Sequence, residues 1–269
     1  MVAYYIYIMT IRNENSLSGK RILIPPARPE ANPLLNMLER LGAKVVEFPK
    51  LTPAPPGDYT PMDKAIENLY RFDWIVFSGS NCVNNFMERY NALIKDRAGI
   101  ESLQIAAIGH GAVKALREKN IEAEYIPPVH TAREVVDGFG EISGSRFLLI
   151  RIEGAAPSLP QKLEKAGAEV TEVHGYRMIV TADIEMAKKT FGSKLDAVAL
   201  PNPTAVMFLL KGIEMAGMNL EVLKGVFIAV VGPATAETAL GSGLMPGLIS
   251  KGHITNLRDS LIEYYTQRA

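Results

Sequence analysis

The sequence predicts an α/β protein of two similar lobes, each with a mainly parallel, doubly wound sheet. Continuous apolar runs, helical apolar patterns between those runs and an internal repeat support this fold class. Continuous runs of Val, Ile and Leu indicate strands buried on both faces, as in parallel sheets. Strands that alternate with helices are typical of doubly wound folds. The predicted strands are 21–25, 44–48, 73–77, 104–108, 146–150, 169–173, 195–200 and 227–231.

The two halves of the chain carry copies of one strand-and-helix unit, which is the sequence signature of a duplicated architecture. Two early segments repeat at a separation of 125 residues, 19–24 with 144–149 and 41–45 with 166–170. Two later segments repeat at a separation of 123 residues, 72–77 with 195–200 and 105–109 with 228–232. We therefore expect each copy to begin with a strand, an amphipathic helix, a Gly-Ala turn and a second strand.

The helix that follows the first strand of each copy has a clear apolar face. The spacing of Leu34 and Leu38 in the first copy, and of Leu159 and Leu163 in the second, places each pair on one side of a helix. A glycine follows each helix, and glycine is the preferred residue just past a helix C-terminus. These helix-ending glycines are Gly42 and Gly167.

Two extended stretches, at about 49–56 and 173–180, interrupt the order of strands and helices. The first is rich in proline, which favours an extended connector. With these stretches as a two-stranded connector, lobe 1 is discontinuous and lobe 2 is inserted into it. The predicted lobes are 1–48 with 177–269, and 52–172. Ligands of open α/β sheets bind beyond the carboxyl ends of the strands, so we expect a small-molecule site in a cleft between the lobes.

Composition excludes several classes of protein. The 29 basic and 29 acidic residues cancel, so the chain has no overall charge that would favour nucleic acid or an anionic membrane. A single cysteine, Cys82, cannot form an internal disulfide and suits a reducing cytoplasm, the expected location. The apolar start lacks a basic region and a cleavage site, so 1–17 is interpreted as an extension rather than a signal peptide.

Small polar residues follow the predicted strands, where a helix begins. Such positions either cap the helix or present backbone N–H groups to an anion, and both interpretations stay open. Ser80 or Asn81 is the expected N-cap in the first copy, and Asn202 is the expected N-cap in the second. The candidate binding residues of this kind are Ser78, Ser80, Asn81, Asn202, Thr204, Gly232 and Ala234, with Thr235 as a hydroxyl beside them.

Familiar catalytic patterns are missing from the sequence. No phosphate-binding loop, dinucleotide fingerprint or nucleophile elbow is present, and the four histidines lack metal-ligand spacing. Cys82 near a helix start is interpreted as a small buried residue rather than a reactive thiol. Tyr176 lies on the second connector, where its phenol would either donate a proton in the cleft or simply pack over the connector.

Taken together and in order, these motifs resemble the uroporphyrinogen-III synthase family over residues 19–269. Each motif is weak alone, but their order and spacing are specific. The matching segments are 28–30, 41–43 and 48–49 near the start, 73–78 with Ser80, Asn81 and Val83, then 108–109, 125–127, 167–170 with Tyr176 and Arg177, and 231–236.

The resemblance implies an enzyme that cyclises hydroxymethylbilane to uroporphyrinogen III, with inversion of ring D and loss of water. It implies no cofactor and no metal, and it is compatible with a transient contact with the enzyme that produces the bilane. By resemblance, Tyr176 is the first candidate to assist loss of hydroxide, and Thr235 is the second. Arg28 and Arg151 are candidates to bind the substrate carboxylates, with a solvated surface charge as the alternative.

Several residues depart from the family pattern, and they keep two other interpretations open. Gly79 stands where the family usually has Ser, Ala112 where it has Thr, and 201–204 differ from the usual Ser/Thr-rich turn. One alternative is therefore a non-catalytic relative that binds a tetrapyrrole. The other is a two-lobe sensor of small molecules, similar to periplasmic binding proteins. A fold alone does not decide among them.

Overall fold

The computed structural model of the chain describes residues 16–26, 33–94 and 98–268. The predicted N-terminal extension lies outside these ranges except for residues 16 and 17. The chain divides into two compact units, Met1–Thr52 with Val180–Ala269, and Pro53–Ile179. The lobe limits proposed from the sequence stay a prediction.

Each unit has one five-stranded sheet, with strand order β10-β9-β8-β1-β2 in the first and β3-β7-β6-β4-β5 in the second. The first sheet is parallel throughout, and β7, β6, β4 and β5 of the second are parallel to one another. The strands are β1 (Arg21–Ile24), β2 (Lys44–Glu47), β3 (Lys50–Ala54), β4 (Trp74–Phe77), β5 (Gln104–Ala107), β6 (Arg146–Ile152), β7 (Glu169–Thr181), β8 (Ala197–Leu200), β9 (Phe227–Val231) and β10 (Leu248–Ser250). The predicted α/β class with mainly parallel sheets is confirmed.

Helices connect these strands. They are α1 (Pro33–Glu39), α2 (Thr60–Glu67), α3 (Ser80–Leu93), α4 (Ala98–Glu101), α5 (His110–Arg117), α6 (Ala132–Asp137), α7 (Ser158–Lys165), α8 (Ile184–Phe191), α9 (Pro203–Met215), α10 (Gly232–Gly241) and α11 (Ile254–Thr266). Leu34 and Leu38 of α1 are buried, as are Leu159 and Leu163 of α7, so the two predicted apolar faces are confirmed.

All eight predicted strands are present, and two further strands, β3 and β10, were not predicted as such. The proline-rich stretch around β3 suggested an extended connector because proline cannot donate to a sheet ladder. β10 has only three residues, which is too short for a clear pattern. β3 is the neighbour of the long β7 in the second sheet, so the two predicted connectors do lie side by side as strands.

The repeat explains why both sheets share one strand order. By sequence, β1 and β2 correspond to β6 and β7, while β8 and β9 correspond to β4 and β5. The order β9-β8-β1-β2 of the first unit therefore matches β5-β4-β6-β7 of the second. Each unit combines the early part of one copy with the late part of the other.

Equivalent side chains make the same contacts in both units. The carboxylate of Asp73 accepts a hydrogen bond from the backbone N–H of Arg146 at 2.8 Å, and Asp196 accepts one from Arg21 at 2.8 Å. Each aspartate in turn donates its own N–H to the carbonyl of the same arginine. The Arg146 side chain also holds the pKa of Asp73 below its usual range through hydrogen bonds. Each pair joins a late strand of one copy to an early strand of the other.

The predicted helix-ending glycines are confirmed. Gly42 has a φ of 82° and Gly167 a φ of 88°, the left-handed region in which glycine lacks the steric cost of a side chain. In both turns the alanine that follows donates its N–H back to a leucine carbonyl of the preceding helix, Ala43 to Leu38 and Ala168 to Leu163. This geometry ends the helix and directs the chain into the next strand.

Candidate active site

In the second unit, the candidate residues collect at the carboxyl ends of three adjacent strands. Phe77 of β4 pairs with Ile150 of β6, and Ile150 pairs with Val173 of β7. Ser78, directly after β4, and Arg151, near the end of β6, therefore lie at one edge of the sheet, with Tyr176 farther along β7. The helix α3 also begins at this edge.

The start of α3 differs from the sequence prediction. Ser80 is already the first helical residue, so the N-cap is Gly79, and the prediction of Ser80 or Asn81 as the cap is wrong. Gly79 has a φ of 129°, a conformation that residues with a side chain rarely adopt. Because no side chain caps this helix, the hydroxyl of exposed Ser80 and the amide of half-buried Asn81 are not used for that purpose. The first N–H groups of a helix have no partner within it.

The half-buried Ser78 hydroxyl donates a hydrogen bond to the carbonyl of Ile150 at 3.2 Å, and it lies 3.8 Å from the Cys82 sulfur. This contact fixes the hydroxyl across the ends of β4 and β6. Ser78 thus has a structural partner at the position where a substrate contact is predicted.

Cys82 is confirmed as a buried residue. Burial raises the pKa of its thiol to about 11, partly offset by the hydrogen bond with Ser78. At pH 8 only about 0.1% of such a thiol is ionised, and the thiolate is the reactive form.

We therefore expect Cys82 to resist a thiol-specific disulfide reagent at pH 8 in the folded protein and to react fully in denaturant. Absorbance of the released thiol measures both states, and as the only cysteine it gives at most one equivalent. Rapid reaction with the folded protein would contradict the buried, protonated state.

Arg151 is buried, with its side chain 9% exposed. Its guanidinium donates to the Glu172 carboxylate at 3.0 Å and to the Ala156 carbonyl at 2.7 Å. The alternative of a solvated surface charge is therefore wrong for Arg151. Its contact with substrate stays a prediction. In the structure, Arg151 joins β6, β7 and the loop before α7.

Tyr176 is half-buried and packs against a core cluster beneath α3 that includes Cys82, Phe86 and Ile150. It pairs with Ile152 of β6 just beyond an irregularity in the strand register, and its carbonyl accepts the N–H of Glu153 at 2.9 Å. The backbone at Tyr176 is thereby held within the sheet. A tyrosine phenol can donate a proton or a hydrogen bond.

In the first unit, Asn202 is the predicted N-cap of α9, and this is confirmed. Its side-chain oxygen accepts the N–H of Ala205 at 2.9 Å, and Pro203 occupies the first helical turn. Asn202 and Thr204 are both exposed at this helix start. Leu200 pairs with Val230, so this turn lies beside the end of β9.

The end of β9 leads directly into α10. Gly232, with a φ of 73°, opens the helix, and exposed Ala234 lies in its first turn. Thr235 is 2% exposed, so its side chain is enclosed within the fold. The two helix starts of this unit, at α9 and α10, thus meet at one edge of the sheet. Arg28 lies outside the described residues.

Two residues that the sequence analysis did not single out contact the Tyr176 backbone region. They are Asn85 of α3, whose amide donates to the carbonyl of Gly175 at 2.9 Å, and Gly175 itself. A lone glycine within a strand pattern is a known signal of a bulge, and Gly175 carried that signal. Nothing in the sequence marks Asn85.

In the described parts of the chain, no helix is long and apolar enough to span a bilayer. The fold defines an α/β protein of two units, and each unit has helix starts and polar side chains at the carboxyl ends of its parallel strands. This arrangement is typical of proteins that bind small anionic molecules.

Similarity to known proteins identifies the family. The family model described as uroporphyrinogen-III synthase HemD matches residues 32–254. A uroporphyrinogen-III synthase of Synechococcus elongatus is 29% identical over 235 residues, which cover 84% of this chain and 87% of that protein. A porphyrin biosynthesis protein HemD of Ruminiclostridium josui is 24% identical over 92% of this chain, which spans 49% of that longer protein. The chain belongs to the uroporphyrinogen-III synthase family.

Solved structures with the same description also align with this chain. A mutant uroporphyrinogen III synthase of Thermus thermophilus aligns with a TM-score of 0.47 at 18% identity, over 93% of this chain and all of that one. A uroporphyrinogen-III synthetase of Helicobacter pylori aligns with a TM-score of 0.40 at 15% identity, over 91% and 99% of the two chains.

Proposed function

We propose that this protein is a uroporphyrinogen-III synthase, a lyase that cyclises hydroxymethylbilane with inversion of ring D and loss of water. The observation that carries the proposal is the family match over 32–254, which includes most of both described units. The related synthase of Synechococcus elongatus, similar over most of its length, supports the same activity.

The reaction requires positioning more than a strong nucleophile. The bilane cyclises without an enzyme to the uninverted isomer, so the protein must hold ring D in the pose that leads to the other product. The substrate carries several acetate and propionate carboxylates. Backbone N–H groups at helix starts bind such anions, and we assign this role to the starts of α3 (Ser80, Asn81), α9 (Asn202, Thr204) and α10 (Gly232, Ala234).

We assign loss of the terminal hydroxyl to Tyr176, with Thr235 as the second candidate. A phenol that donates its proton to the leaving oxygen lets that oxygen depart as water instead of as the poorer leaving group hydroxide. The Tyr176 backbone is fixed by its place in β7, which supports a defined direction for its phenol. The side chain of Thr235 is buried at the start of α10. Ser78, Arg28 and Arg151 remain proposed contacts to the substrate.

We further propose that the protein works in the cytoplasm, where a single buried cysteine needs no disulfide partner. Because the bilane cyclises spontaneously, a transient contact with the enzyme that produces it would limit loss of substrate. This contact is tested by measuring the ratio of isomer III to isomer I in two arrangements. In one the two enzymes are mixed in solution, and in the other a dialysis membrane separates them.

The function is tested by a coupled assay with a bilane-producing enzyme, followed by oxidation and separation of uroporphyrins I and III. We expect mostly isomer III with the wild-type protein and mostly isomer I in its absence. Isomer I alone at every protein concentration would exclude the synthase. Binding of a linear tetrapyrrole without a change in product ratio would instead favour the non-catalytic relative.

A further inference from the structure

Two residues of β7 that are three positions apart contact the same core cluster, although residues at that separation lie on opposite faces of a regular strand. Val173 and Tyr176 both pack against the cluster beneath α3. Side chains of a strand alternate between its two faces, so residues three apart point in opposite directions. Something between Val173 and Tyr176 must reverse the alternation.

The register of β6 and β7 identifies the reversal. Arg151 pairs with His174, but the next residue of β6, Ile152, pairs with Tyr176. Gly175 is therefore an extra residue on β7 with no counterpart on β6, which is a β-bulge. A shift of one residue moves every later side chain to the other face. Tyr176 thus joins the face that holds Ile150, instead of the face of exposed His174.

The bulge depends on a close approach of two backbones. Gly175 is buried, and a Cβ atom added there would lie 2.8 Å from Cγ2 of Ile150 and 3.0 Å from Cα of Cys82. Only glycine fits between β6 and α3 at these distances. A bulge also removes a carbonyl from the regular ladder, and a buried carbonyl without a partner is costly.

Asn85 supplies the partner for that carbonyl. Its side-chain amide, one turn after Cys82 on α3, donates to the oxygen of Gly175 at 2.9 Å across 90 residues of sequence. One residue later the sheet resumes, where the Tyr176 carbonyl accepts the N–H of Glu153.

We propose that Asn85 is a positioning residue for the reaction, because its amide holds the bulge at Gly175 and so sets the face of β7 that carries the Tyr176 phenol. The inference rests on the proposed role of Tyr176 in the synthase reaction. Asn85 is not assigned a contact with the reacting atoms. It acts through Tyr176, and its loss changes catalysis only while the phenol is present.

A double-mutant cycle in the coupled assay tests this dependence. We expect Asn85→Ala to lower kcat by about tenfold or more, with KM within about twofold, since a small misplacement of a catalytic group is costly. In the Tyr176→Phe background the same replacement is expected to change kcat by less than about twofold. The matched control is Asn84→Ala, which removes an exposed amide from the same helix and leaves both constants unchanged.

Site-resolved tyrosine nitration, read by mass spectrometry, gives a second measurement that needs no activity. Relaxation of the bulge turns Tyr176 toward the exposed face, so Asn85→Ala is expected to speed nitration of Tyr176 but not of exposed Tyr70. Should Asn85→Ala fail to fold, Asn85→Asp keeps the volume and removes the donor, and the same changes are expected.

Unchanged kcat and unchanged Tyr176 nitration in the Asn85 variant would overturn the proposal. So would an equal loss of kcat in both Tyr176 backgrounds, which would make Asn85 a general structural residue. If wild type itself gives only isomer I, the proposed synthase function fails, and faster nitration of Tyr176 in the variant still supports the control of its orientation by Asn85.

Discussion

Replacing Tyr176 by phenylalanine is expected to lower kcat about 100-fold, within the usual range for loss of a general acid. The substitution removes only the hydroxyl, so the ring still packs against the core cluster beneath α3 and the strand keeps its register. Loss of hydroxide from the bilane then proceeds without proton donation from this residue. The coupled assay measures kcat and the fraction of isomer III at several protein concentrations.

The dependence on protein concentration separates two ways of losing isomer III. A slow enzyme that still holds ring D correctly loses to the spontaneous reaction, so more protein restores isomer III. A protein that misplaces ring D gives isomer I at any concentration. For Tyr176→Phe we expect restoration, because the phenol serves the leaving group rather than the pose of the ring.

Tyr70→Phe is the matched control, since Tyr70 lies in the same unit with 76% exposure and donates a hydrogen bond to Asn68. It should leave kcat unchanged. A Tyr176→Phe variant with kcat within about threefold of wild type would remove this residue from proton donation and turn attention to Thr235, for which Thr235→Val is the corresponding variant.

The fold was predictable from the sequence because the information for it is local. A buried parallel strand appears in the sequence as a continuous apolar run. The helix ends at Gly42 and Gly167 depend on residues that are neighbours in sequence, so they can be predicted without knowing the arrangement of the sheets. The duplication added long-range information, since equivalent positions such as Asp73 and Asp196 make equivalent hydrogen bonds. The proline-rich run at β3 and the three-residue β10 lacked such a local pattern.

The site was less predictable because its details depend on contacts between distant segments. Ser80 and Asn81 are both residue types that are preferred as N-caps, yet Gly79 is the N-cap. The backbone at that position has a positive φ, which glycine adopts readily. The face of Tyr176 depends on a bulge whose partner, Asn85, is 90 residues away. Arg151 was predicted to bind substrate or to be a surface charge, and its pairing with Glu172 on the next strand was missed because no nearby residue in the sequence indicates it.

Removing the carboxylate from Glu172 is expected to destabilise the second unit by about 2–3 kcal/mol. Glu172→Ala leaves the Arg151 guanidinium buried, with the Ala156 carbonyl as its remaining partner among the described residues. A buried charge without its counter-ion is strongly unfavourable, although the 27% exposure of Glu172 admits some water to the site and limits the effect. Urea unfolding measures the loss through the fluorescence of Trp74, the single tryptophan, which lies in the same unit.

An exposed ion pair of the same unit provides the control. Arg133 and Asp137 are 3.5 Å apart with side chains 80% and 67% exposed, so Asp137→Ala should change stability by less than about 0.5 kcal/mol. An equal effect of the two alanine variants would contradict a special cost of burying the Arg151 charge.

A double variant, Arg151→Met with Glu172→Leu, separates the structural role of Arg151 from its proposed contact with substrate. Replacing a buried ion pair by apolar side chains of similar size is often neutral for stability, so we expect most of the loss to be recovered. If Arg151 also binds a substrate carboxylate, KM rises in this stable protein. If KM stays at the wild-type value, Arg151 is a structural residue alone, and anion binding in the second unit rests on the start of α3.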